Sequence, residues 1–484
     1  MDFLSGSFVA FVSLAIMLVR WPVISGVKSW VMLILNSVFI FSLAGSLRGV
    51  IPVVLFLSAG YACVYAVRMT GTTRVTAWAV AVIIALFVYL KRYSVISFVP
   101  GFGGTYMTVG LSYMLFRTIE LIVDTRGGAV KGVVSLTEYL NYNCFFLSYI
   151  SGPIQRFESF RSEFLKMGNT DTDSETIYLA FSRMINGYFK VAVFSVIFSS
   201  LHGKFVLHLF NPGVWNSQLM SGVCLIGSAF LYTVYLYLNF SGYMDIVIGA
   251  GKLMGFELPE NFNGPFASSG FLELWSRWHI TLSTWFKAYV FNPVMKMMAY
   301  RWPDRRLATY YAAIGFFITF MLMGIWHGTT LSFVVFGIFL GAGVSLNKLY
   351  EVFLRNVLGK RWSSAINKNQ VLRLINSGLT FSYFSIGLIC VWMKPDDLIR
   401  TLSSNGVVGL LAVFIAGAIL ASVTMGAISI MKRVCTSFFQ ASLFLFLKNN
   451  FIVRQSWLSL KALIIVMLII ARNYNIPDFI YKAF

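Results

Sequence analysis

Charged residues are scarce in this sequence, and their scarcity excludes a soluble globular protein. Asp, Glu, Lys and Arg make up only 12% of the 484 residues, whereas 58% of the residues are hydrophobic and the mean hydropathy is +0.76. A helix needs about 20 apolar residues to cross a bilayer core, and apolar runs of that order recur along the chain. The composition therefore predicts an all-α, polytopic integral membrane protein with about 11 transmembrane helices and some short re-entrant or interfacial helices.

The apolar runs differ in length, so some are expected to be tilted, re-entrant or joined to a neighbour. They lie at 7–19, 31–45, 50–67, 76–90, 107–123, 177–200, 219–240, 308–325, 329–346, 374–393, 406–431 and 457–471. The distinctly polar stretch at 168–175 is predicted to be an exposed connector, because it lacks the glycine and terminal glutamate of a calcium loop.

Acidic residues are fewer than half as frequent as basic ones, 18 against 38, which gives a net charge of +20. The basic residues are scattered through short loops, a pattern that disfavours nucleic-acid binding and is typical of cytoplasmic loops. Two such loops, at 296–306 and 348–373, flank the apolar pair 308–325 and 329–346. Both loops are predicted to be cytoplasmic, so the pair forms a hairpin whose turn, with His327, faces the extracytoplasmic side.

The sequence also lacks the residue patterns that are typical of metal sites, redox sites and serine hydrolases. The 5 cysteines have no pair at metal-ligand or redox spacing and are predicted to be small core residues. The sequence contains no His-x-x-x-His motif for zinc and no Gly-x-Ser-x-Gly elbow for a serine hydrolase. A zinc site built from two histidines and Asp245 is therefore disfavoured, and no metal is expected.

Histidine is rare as well, with only 4 residues in the chain. His202 and His208 lie near the end of an apolar run, where a structural or solvated role suffices. His279 and His327 differ, because each is embedded in a Trp-rich stretch, and ionisable groups at membrane depth usually mark a pathway or reaction site. Neutral imidazoles in apolar surroundings can accept a proton near pH 7, which acylation of an alcohol requires.

Polar residues are concentrated between 239 and 287, where they alternate with aromatic residues. One face of a helix over 271–286 would carry Trp275, Trp278, His279, Leu282 and Phe286. An interfacial helix, with its Trp residues in the aromatic belt of the membrane and His279 hydrogen-bonded locally, is the alternative explanation.

Five stretches of the sequence carry a family resemblance. They read LSYMLFRTIELIVDTRGG from Leu111, SGPIQRF from Ser151, FSGYMDIVIGAGKLMGFELPENFNGPF from Phe240, LWSRWHITLSTWF from Leu274 and GIWHG from Gly324. At these residues the chain resembles the membrane-bound O-acyltransferase (MBOAT) family, in the bacterial branch that includes alginate O-acetyltransferases and teichoic-acid D-alanyl transfer proteins. The third and fourth stretches are long and specific.

The resemblance implies roles for particular residues. His327 corresponds to the essential histidine of the family and His279 to its second conserved polar position, both lining a central tunnel through the membrane. The expected substrate-binding residues are Trp326, Trp275, Trp278, Arg277, Ser283, Asp245, Asn261 and Asn263. Arg156 also matches a family position, although it could equally be a basic residue at a helix end.

The resemblance implies an O-acyltransferase in the cytoplasmic (inner) membrane of a bacterium. Such an enzyme would move a short acyl group, with acetyl favoured, from a cytoplasmic thioester such as acetyl-CoA to a hydroxyl of an extracytoplasmic polysaccharide or glycolipid. No permanently bound cofactor is expected, and the acyl group could pass directly or through a periplasmic or membrane-anchored relay partner.

Two alternatives stay open. One is D-alanyl transfer from a phosphopantetheine carrier protein to teichoic acid. Ser151-Gly152-Pro153 favours that branch, whereas the larger size and extra C-terminal segments favour the O-acetyltransferases. The other is a transporter or flippase, although no inverted repeat is apparent. The expected organisation is N-terminal transmembrane helices (1–100), an MBOAT catalytic core (101–346), and a basic cytoplasmic loop with C-terminal transmembrane helices (347–484).

Overall fold

The computed structural model describes residue 3 and residues 5–93, 98, 109–168, 173–211, 217–439 and 450–471. Within these residues the chain forms α-helices joined by turns, and its β-type pairing is limited to one isolated antiparallel bridge between Phe262 and Trp278. The prediction of an all-α fold is confirmed.

The described helices fall along the chain as follows. The first nine are α1 (Gly6–Arg20), α2 (Lys28–Ala44), α3 (Leu47–Thr70), α4 (Thr73–Lys91), α5 (Leu111–Gly127), α6 (Leu136–Cys144), α7 (Phe157–Lys166), α8 (Ser174–Phe189) and α9 (Val196–Phe210). They are followed by α10 (Gln218–Leu253), α11 (Phe271–Arg277), α12 (Ile280–Phe286), α13 (Asn292–Arg301), α14 (Ala308–His327), α15 (Leu331–Lys368), α16 (Gln370–Gly387), α17 (Ile389–Trp392), α18 (Pro395–Phe439) and α19 (Phe451–Ala471). Two π-helical turns, Lys190–Ser195 and Lys287–Phe291, follow α8 and α12.

Eight helical segments of the described chain are long and apolar enough to cross a membrane. They are Leu47–Thr70, Thr73–Lys91, Ser174–Phe210, Leu219–Leu253, Arg305–His327, Leu331–Gly359, Gln370–Trp392 and Gly409–Met431. The polytopic prediction is confirmed, but the expected number of 11 spans is not. The apolar runs at 7–19 and 31–45 form helices of only 15 and 17 residues, which are short for a span.

Local capping explains several helix boundaries. The side chains of Ser46 and Thr72 accept hydrogen bonds from backbone N–H groups in the first turns of α3 and α4. Gly45 and Gly71 end α2 and α3 with φ values of +67° and +63°, a left-handed conformation that glycine adopts without a steric penalty.

The described chain divides into two compact units. The first unit contains the described parts of 1–188 and 240–260, and the second contains those of 189–239 and 261–477. Helix α10 contributes its C-terminal part to the first unit and its N-terminal part to the second. The three-part division proposed from the sequence remains a prediction about functional regions.

Two minor sequence predictions can be compared with the structure. The side chains of Cys144, Cys224 and Cys390 are buried, as expected for small core residues, and that of Cys63 is half-buried. Half of the polar connector at 168–175, residues 169–172, lies outside the described residues. At its end, the Asp173 carboxylate accepts a hydrogen bond of 3.0 Å from the backbone N–H of Thr176 in the first turn of α8.

Candidate active site

His279 lies in a break between two short helices. The periodicity predicts one helical face through 271–286, and this part of the prediction is wrong. Helix α11 ends at Arg277, Trp278 is extended with φ −107°, and His279 is left-handed with φ +45° and ψ +53° before α12 begins at Ile280. Trp278 and His279 are nevertheless buried, at 5% and 1% exposure, so the predicted burial of this stretch is correct.

Backbone pairing with the preceding segment explains the break. The N–H of Asn263 donates to the carbonyl of Arg277 at 2.9 Å, and the N–H of Ile280 donates to the carbonyl of Asn261 at 3.0 Å. Together with the bridge between Phe262 and Trp278, these bonds use backbone groups that a continuous helix would pair internally. Tertiary pairing therefore overrides the helical periodicity at this turn.

The Asn261 side chain fixes the His279 ring. Asn261 is fully buried, and its Oδ1 lies 3.2 Å from Nδ1 of His279. The same oxygen accepts hydrogen bonds from the backbone N–H of Thr281 at 3.1 Å and from the Thr281 hydroxyl at 3.0 Å. One carboxamide oxygen thus joins the loop before α11 to the first turn of α12.

His327 is the last residue of α14, at the turn of a tight helical hairpin with α15. The glycines of Gly-Ile-Trp-His-Gly permit this close packing. A Cβ on Gly324 would lie 2.3 Å from Cα of Gly337, and one on Gly328 would lie 2.1 Å from the ring of Phe333. Small residues allow helix backbones to approach in membranes, and here they fix the helix end that carries the imidazole.

Aromatic rings surround the half-buried His327. The ring centroid of Trp326 is 4.7 Å from that of His327, and the ring of Phe336 on α15 is 6.0 Å away. The His327 imidazole therefore contacts one tryptophan and one phenylalanine ring, and its place in a water-poor reaction site remains a prediction.

His279 and His327 interact electrostatically. His279 belongs to the turn between α11 and α12, neither of which is a candidate membrane span. Burial lowers the pKa of His279 well below its usual value, and the nearby charge of His327 lowers that pKa further. The two histidines singled out from the sequence are therefore neighbours in the second unit, and His279 is neutral at physiological pH.

Two of the predicted tryptophans, Trp275 and Trp278, pack in buried aromatic clusters. Trp275 is buried against Phe320 and Phe384, with ring centroids 4.8 and 5.9 Å apart. Trp278 packs on Phe384 at 4.9 Å and on Phe262 at 5.1 Å. The three predicted tryptophans, including Trp326, are all buried.

Arg277 and Ser283 flank the His279 turn. Arg277 forms a half-exposed ion pair of 2.7 Å with Glu273, one helical turn earlier. The Ser283 N–H donates to the carbonyl of His279 at 3.0 Å, and its hydroxyl lies 3.4 Å from the carbonyl of Trp278. Their expected substrate contacts remain predictions.

Asp245 and Asn263 differ from the buried residues of the His279 turn in their surroundings. Asp245 belongs to the first unit, where its carboxylate accepts a hydrogen bond of 3.0 Å from Nε of Arg183. The two terminal nitrogens of Arg183 donate to the two carboxylate oxygens of Glu260, each at 2.6 Å. The Asn263 side chain is exposed. Substrate binding by either residue remains a prediction.

Sequence reasoning missed two groups that position the motifs. Thr281 was not singled out, although it supplies two of the donors to Asn261. Glu120 is buried and accepts a hydrogen bond of 2.7 Å from the backbone N–H of Phe157, and it lies 3.5 Å from Arg156 at the start of α7. Burial raises the pKa of Glu120 to about 8. A charged residue inside an apolar run was the available signal for Glu120.

Two other features of the described chain, His202 and an apolar cavity, offer fewer reactive side chains. Nδ1 of His202 lies 3.0 Å from the carbonyl of Ser228, and its ring packs against Trp392, consistent with a structural role. A cavity of about 470 Å³ in the second unit has an almost wholly apolar wall and contains neither His279 nor His327. Among the described residues, no group of three or more His, Cys, Asp or Glu could hold a metal ion.

Known proteins are similar in sequence to this chain. The teichoic acid D-alanyltransferase of Bacillus subtilis (strain 168) is 27% identical over 288 residues, which cover 59% of this chain and 69% of that protein. That of Streptococcus thermophilus is 29% identical over 240 residues, covering 49% and 56% of the two chains. The probable alginate O-acetylase AlgI of Pseudomonas fluorescens is 30% identical over 243 residues, covering 50% and 45%.

The chain thus matches about half to two thirds of the length of these relatives. The profile of MBOAT, the membrane-bound O-acyltransferase family, matches residues 61–389. This match begins before and ends after the central core expected from the motifs. Because it covers well over half of the sequence and includes both histidines, the chain belongs to the membrane-bound O-acyltransferase family.

Proposed function

We propose that this protein is an O-acyltransferase that moves a short acyl group from a thioester to a hydroxyl of a glycan or glycolipid. The observation that carries the proposal is the pair of neighbouring imidazoles, one buried and neutral at His279 and one half-buried at the helix end at His327. A neutral imidazole is suited to removing a proton from an alcohol.

In the proposed reaction, the hydroxyl oxygen attacks the thioester carbonyl carbon while His327 removes the hydroxyl proton. A C–O bond forms and the C–S bond breaks, and His327 returns the proton to the departing thiolate. The histidine is regenerated, so the route requires no acyl-enzyme intermediate. The buried side chains of Trp275, Trp278 and Trp326 would limit competing hydrolysis by excluding water, and holding both substrates in one site would accelerate transfer.

Acetyl-CoA is the proposed donor, and the acceptor hydroxyl is proposed to lie on the extracytoplasmic side of a bacterial cytoplasmic membrane. The hairpin of α14 and α15 supports this arrangement. The basic residues of 348–373, expected to form a loop, lie largely in the later part of the helix α15. Together with those of 296–306, before α14, they favour the cytoplasmic side, and His327 lies at the opposite end of α14.

D-alanyl transfer to teichoic acid is the second candidate function. The names of the similar proteins from Bacillus subtilis and Streptococcus thermophilus favour it, whereas that of the Pseudomonas fluorescens protein favours acetyl transfer. Either donor carries its acyl group on a thioester, so the proposed proton transfers are the same. Direct transfer and transfer through a relay partner are both compatible with this chemistry.

The test is to release ester-linked groups from the cell envelope with mild alkali and identify them by mass spectrometry. Cells expressing the wild-type protein are compared with cells expressing equal amounts of folded His327→Ala. We expect a loss of about 10²- to 10⁴-fold in transfer, the usual contribution of a general base. Released acetate identifies the acetyl donor, and released D-alanine identifies the second candidate function.

His208→Ala is the matched control, because His208 is an exposed histidine on α9, away from the proposed machinery. It should leave the ester content unchanged. Ester content that is equal in His327→Ala and wild-type cells would contradict the role of His327.

A further inference from the structure

The apolar cavity of the second unit lies between helices α10, α15, α16, α17 and α18. Its volume of about 470 Å³ is within the range of roughly 300–1,000 Å³ that is usual for ligand sites in proteins. Side chains such as Leu225, Phe339, Ile386 and Phe414 line it. Since neither histidine of the candidate active site lines this cavity, it is a separate feature of the molecule.

The cavity wall offers almost no hydrogen bonds to an occupant. The Tyr383 hydroxyl donates to the carbonyl of Phe339 at 2.6 Å, and the Thr401 hydroxyl donates to the carbonyl of Asp397 at 2.7 Å. Ser382, the third residue of the wall with a hydroxyl, is only 1% exposed. Because a buried water needs about two to four polar partners, water is a poor occupant of this cavity and a hydrocarbon is a good one.

The wall lies at one end of four candidate membrane spans. The spans Leu219–Leu253, Leu331–Gly359 and Gly409–Met431 contribute wall residues from their first parts, up to positions 230, 339 and 417. The span Gln370–Trp392 contributes positions 382 to 390, from its last part. Leu331 follows His327 by four positions, so the cavity belongs to the membrane leaflet on the His327 side.

Two residues of the wall are also exposed on the surface of the spans. Val335 on α15 and Leu411 on α18 line the cavity and are 43% and 56% exposed. The outer surface of a membrane span faces lipid chains and not water. Lipid chains can therefore reach the cavity from the side, between α15 and α18.

One end of the cavity extends beyond the hydrocarbon layer. Leu398 and Thr401 line the cavity but precede the candidate span that begins at Gly409. The same segment carries exposed charged side chains of both signs, on Lys394, Asp396 and Arg400. Charged side chains near the ends of spans reach the membrane interface. The cavity thus runs from the level of the lipid headgroups to that of the lipid chains.

We propose that the cavity binds one hydrocarbon chain of a membrane phospholipid from the leaflet on the His327 side, with the headgroup beside the Lys394 segment. The chain is recognised by close packing against the wall, because the surrounding lipid is as apolar as the wall itself. The nearby charges are of both signs, so the charge of the headgroup is not selected. This lipid site does not depend on the proposed acyl transfer.

The test uses the full-length wild-type protein in nanodiscs of phosphatidylglycerol that has a diazirine near the end of one acyl chain. Irradiation attaches the lipid to the side chains that the chain end touches, and fragmentation mass spectrometry locates them. Lipid of the surrounding bilayer reaches exposed positions such as Ile415 and Ile419. We expect additional labelling of Ile389 and Cys390, which line the cavity and are 5% and 8% exposed.

Labelling that is confined to exposed positions would overturn the proposal. Phosphatidylethanolamine with the same diazirine chain should label Ile389 and Cys390 to a similar extent. Labelling of these two residues by only one of the two lipids would show that the headgroup is recognised, which contradicts the proposal. None of these readouts involves acyl transfer, so they are independent of the envelope esters that decide the proposed function.

Val413→Trp tests the site by filling it, because Val413 is a half-buried residue of the wall. Labelling of Ile389 and Cys390 should be lost in this variant, whereas labelling of Ile419 should remain. Val423→Trp is the matched control, because Val423 lies on the same helix, outside the wall, and is 64% exposed. It should be labelled as the wild type is.

A second filling variant, Leu410→Trp, applies if Val413→Trp does not accumulate as folded protein. Leu410 is half-buried and lines the same cavity one helical turn earlier. Its control is Leu420→Trp, at a position of α18 that is 56% exposed. Undiminished labelling of Ile389 and Cys390 in either folded filling variant would contradict the proposal.

Discussion

Two buried polar side chains, Arg117 in the first unit and His279 in the second, show how differently this protein uses polar groups. Arg117 is 1% exposed and donates to the carbonyls of Tyr142 and Asn143 at 2.9 Å, and to the carbonyl and hydroxyl of Ser148 at 2.8 and 2.7 Å. Both guanidinium NH₂ groups are thus used to join α5 to the last turn of α6 and to the segment after it.

His279 is equally buried, but its surroundings differ. Its backbone is left-handed, a carboxamide orients one ring nitrogen, and a second imidazole is near enough to influence its pKa. Extensive bonding to main-chain carbonyls indicates a structural role, whereas backbone strain beside an oriented titratable group is typical of a reaction site. Variants can test whether this contrast holds.

The largest expected effect is loss of folding in Arg117→Met. The substitution leaves the buried carbonyls of Tyr142, Asn143 and Ser148 without their donor, at about 1–3 kcal/mol for each group. We expect little folded protein, measured by monodispersity in detergent and thermal unfolding. Arg306→Met is the control, because the Arg306 side chain is 91% exposed, and it should behave as the wild type. Normal stability of Arg117→Met would contradict the structural role of Arg117, and with it the contrast between Arg117 and His279.

A smaller effect is expected from Gly324→Ala. The added Cβ would meet the backbone of Gly337 at 2.3 Å, and overpacking of this kind costs about 1–3 kcal/mol. The shift should also displace His327, three residues further along α14, so activity per folded molecule should fall. Gly203→Ala on α9 is the matched control, because nothing lies within 4 Å of its Cβ position. Equal stability and activity of the two variants would contradict the packing argument.

The smallest effect is a pH dependence of stability that arises from His279. Its pKa is lowered in the folded protein, so below about pH 6.5 the unfolded chain binds a proton that the folded chain does not. The stability that this group contributes is complete above that pH and falls by at most about 1.4 kcal/mol per pH unit below it. Unfolding midpoints of His279→Asn should therefore decline less steeply on acidification than those of the wild type. If the unfolding midpoints of the two proteins change in parallel with pH, His279 is not buried as described.

The sequence predicted much of the fold because its signals are local. Hydropathy located the segments that form the candidate spans, and the two apolar runs 308–325 and 329–346 predicted the hairpin of α14 and α15. The number of spans is not confirmed within the described residues, where the apolar run at 31–45 forms a helix of only 17 residues.

The candidate site was predicted less completely because it depends on tertiary contacts. His279 and His327 are 48 positions apart in the sequence, and their Trp-rich contexts, the rarity of histidine and the family resemblance singled them out. The break at Trp278 could not be read from the periodicity, since it results from pairing with the segment that begins at Asn261. Asn261 was expected to bind substrate, and its observed bonds to His279 and Thr281 could not be inferred from spacing.

The most direct test of the account is the envelope ester content per molecule of folded protein in cells that express His327→Gln, compared with cells that express Arg117→Lys. The account predicts that His327→Gln accumulates as folded protein but loses the ester. Arg117→Lys, which has fewer donors for the same carbonyls, should accumulate poorly, while the molecules that fold keep their activity. Normal ester content with His327→Gln, or inactive but fully folded Arg117→Lys, would contradict the assignment of chemistry to the histidine pair.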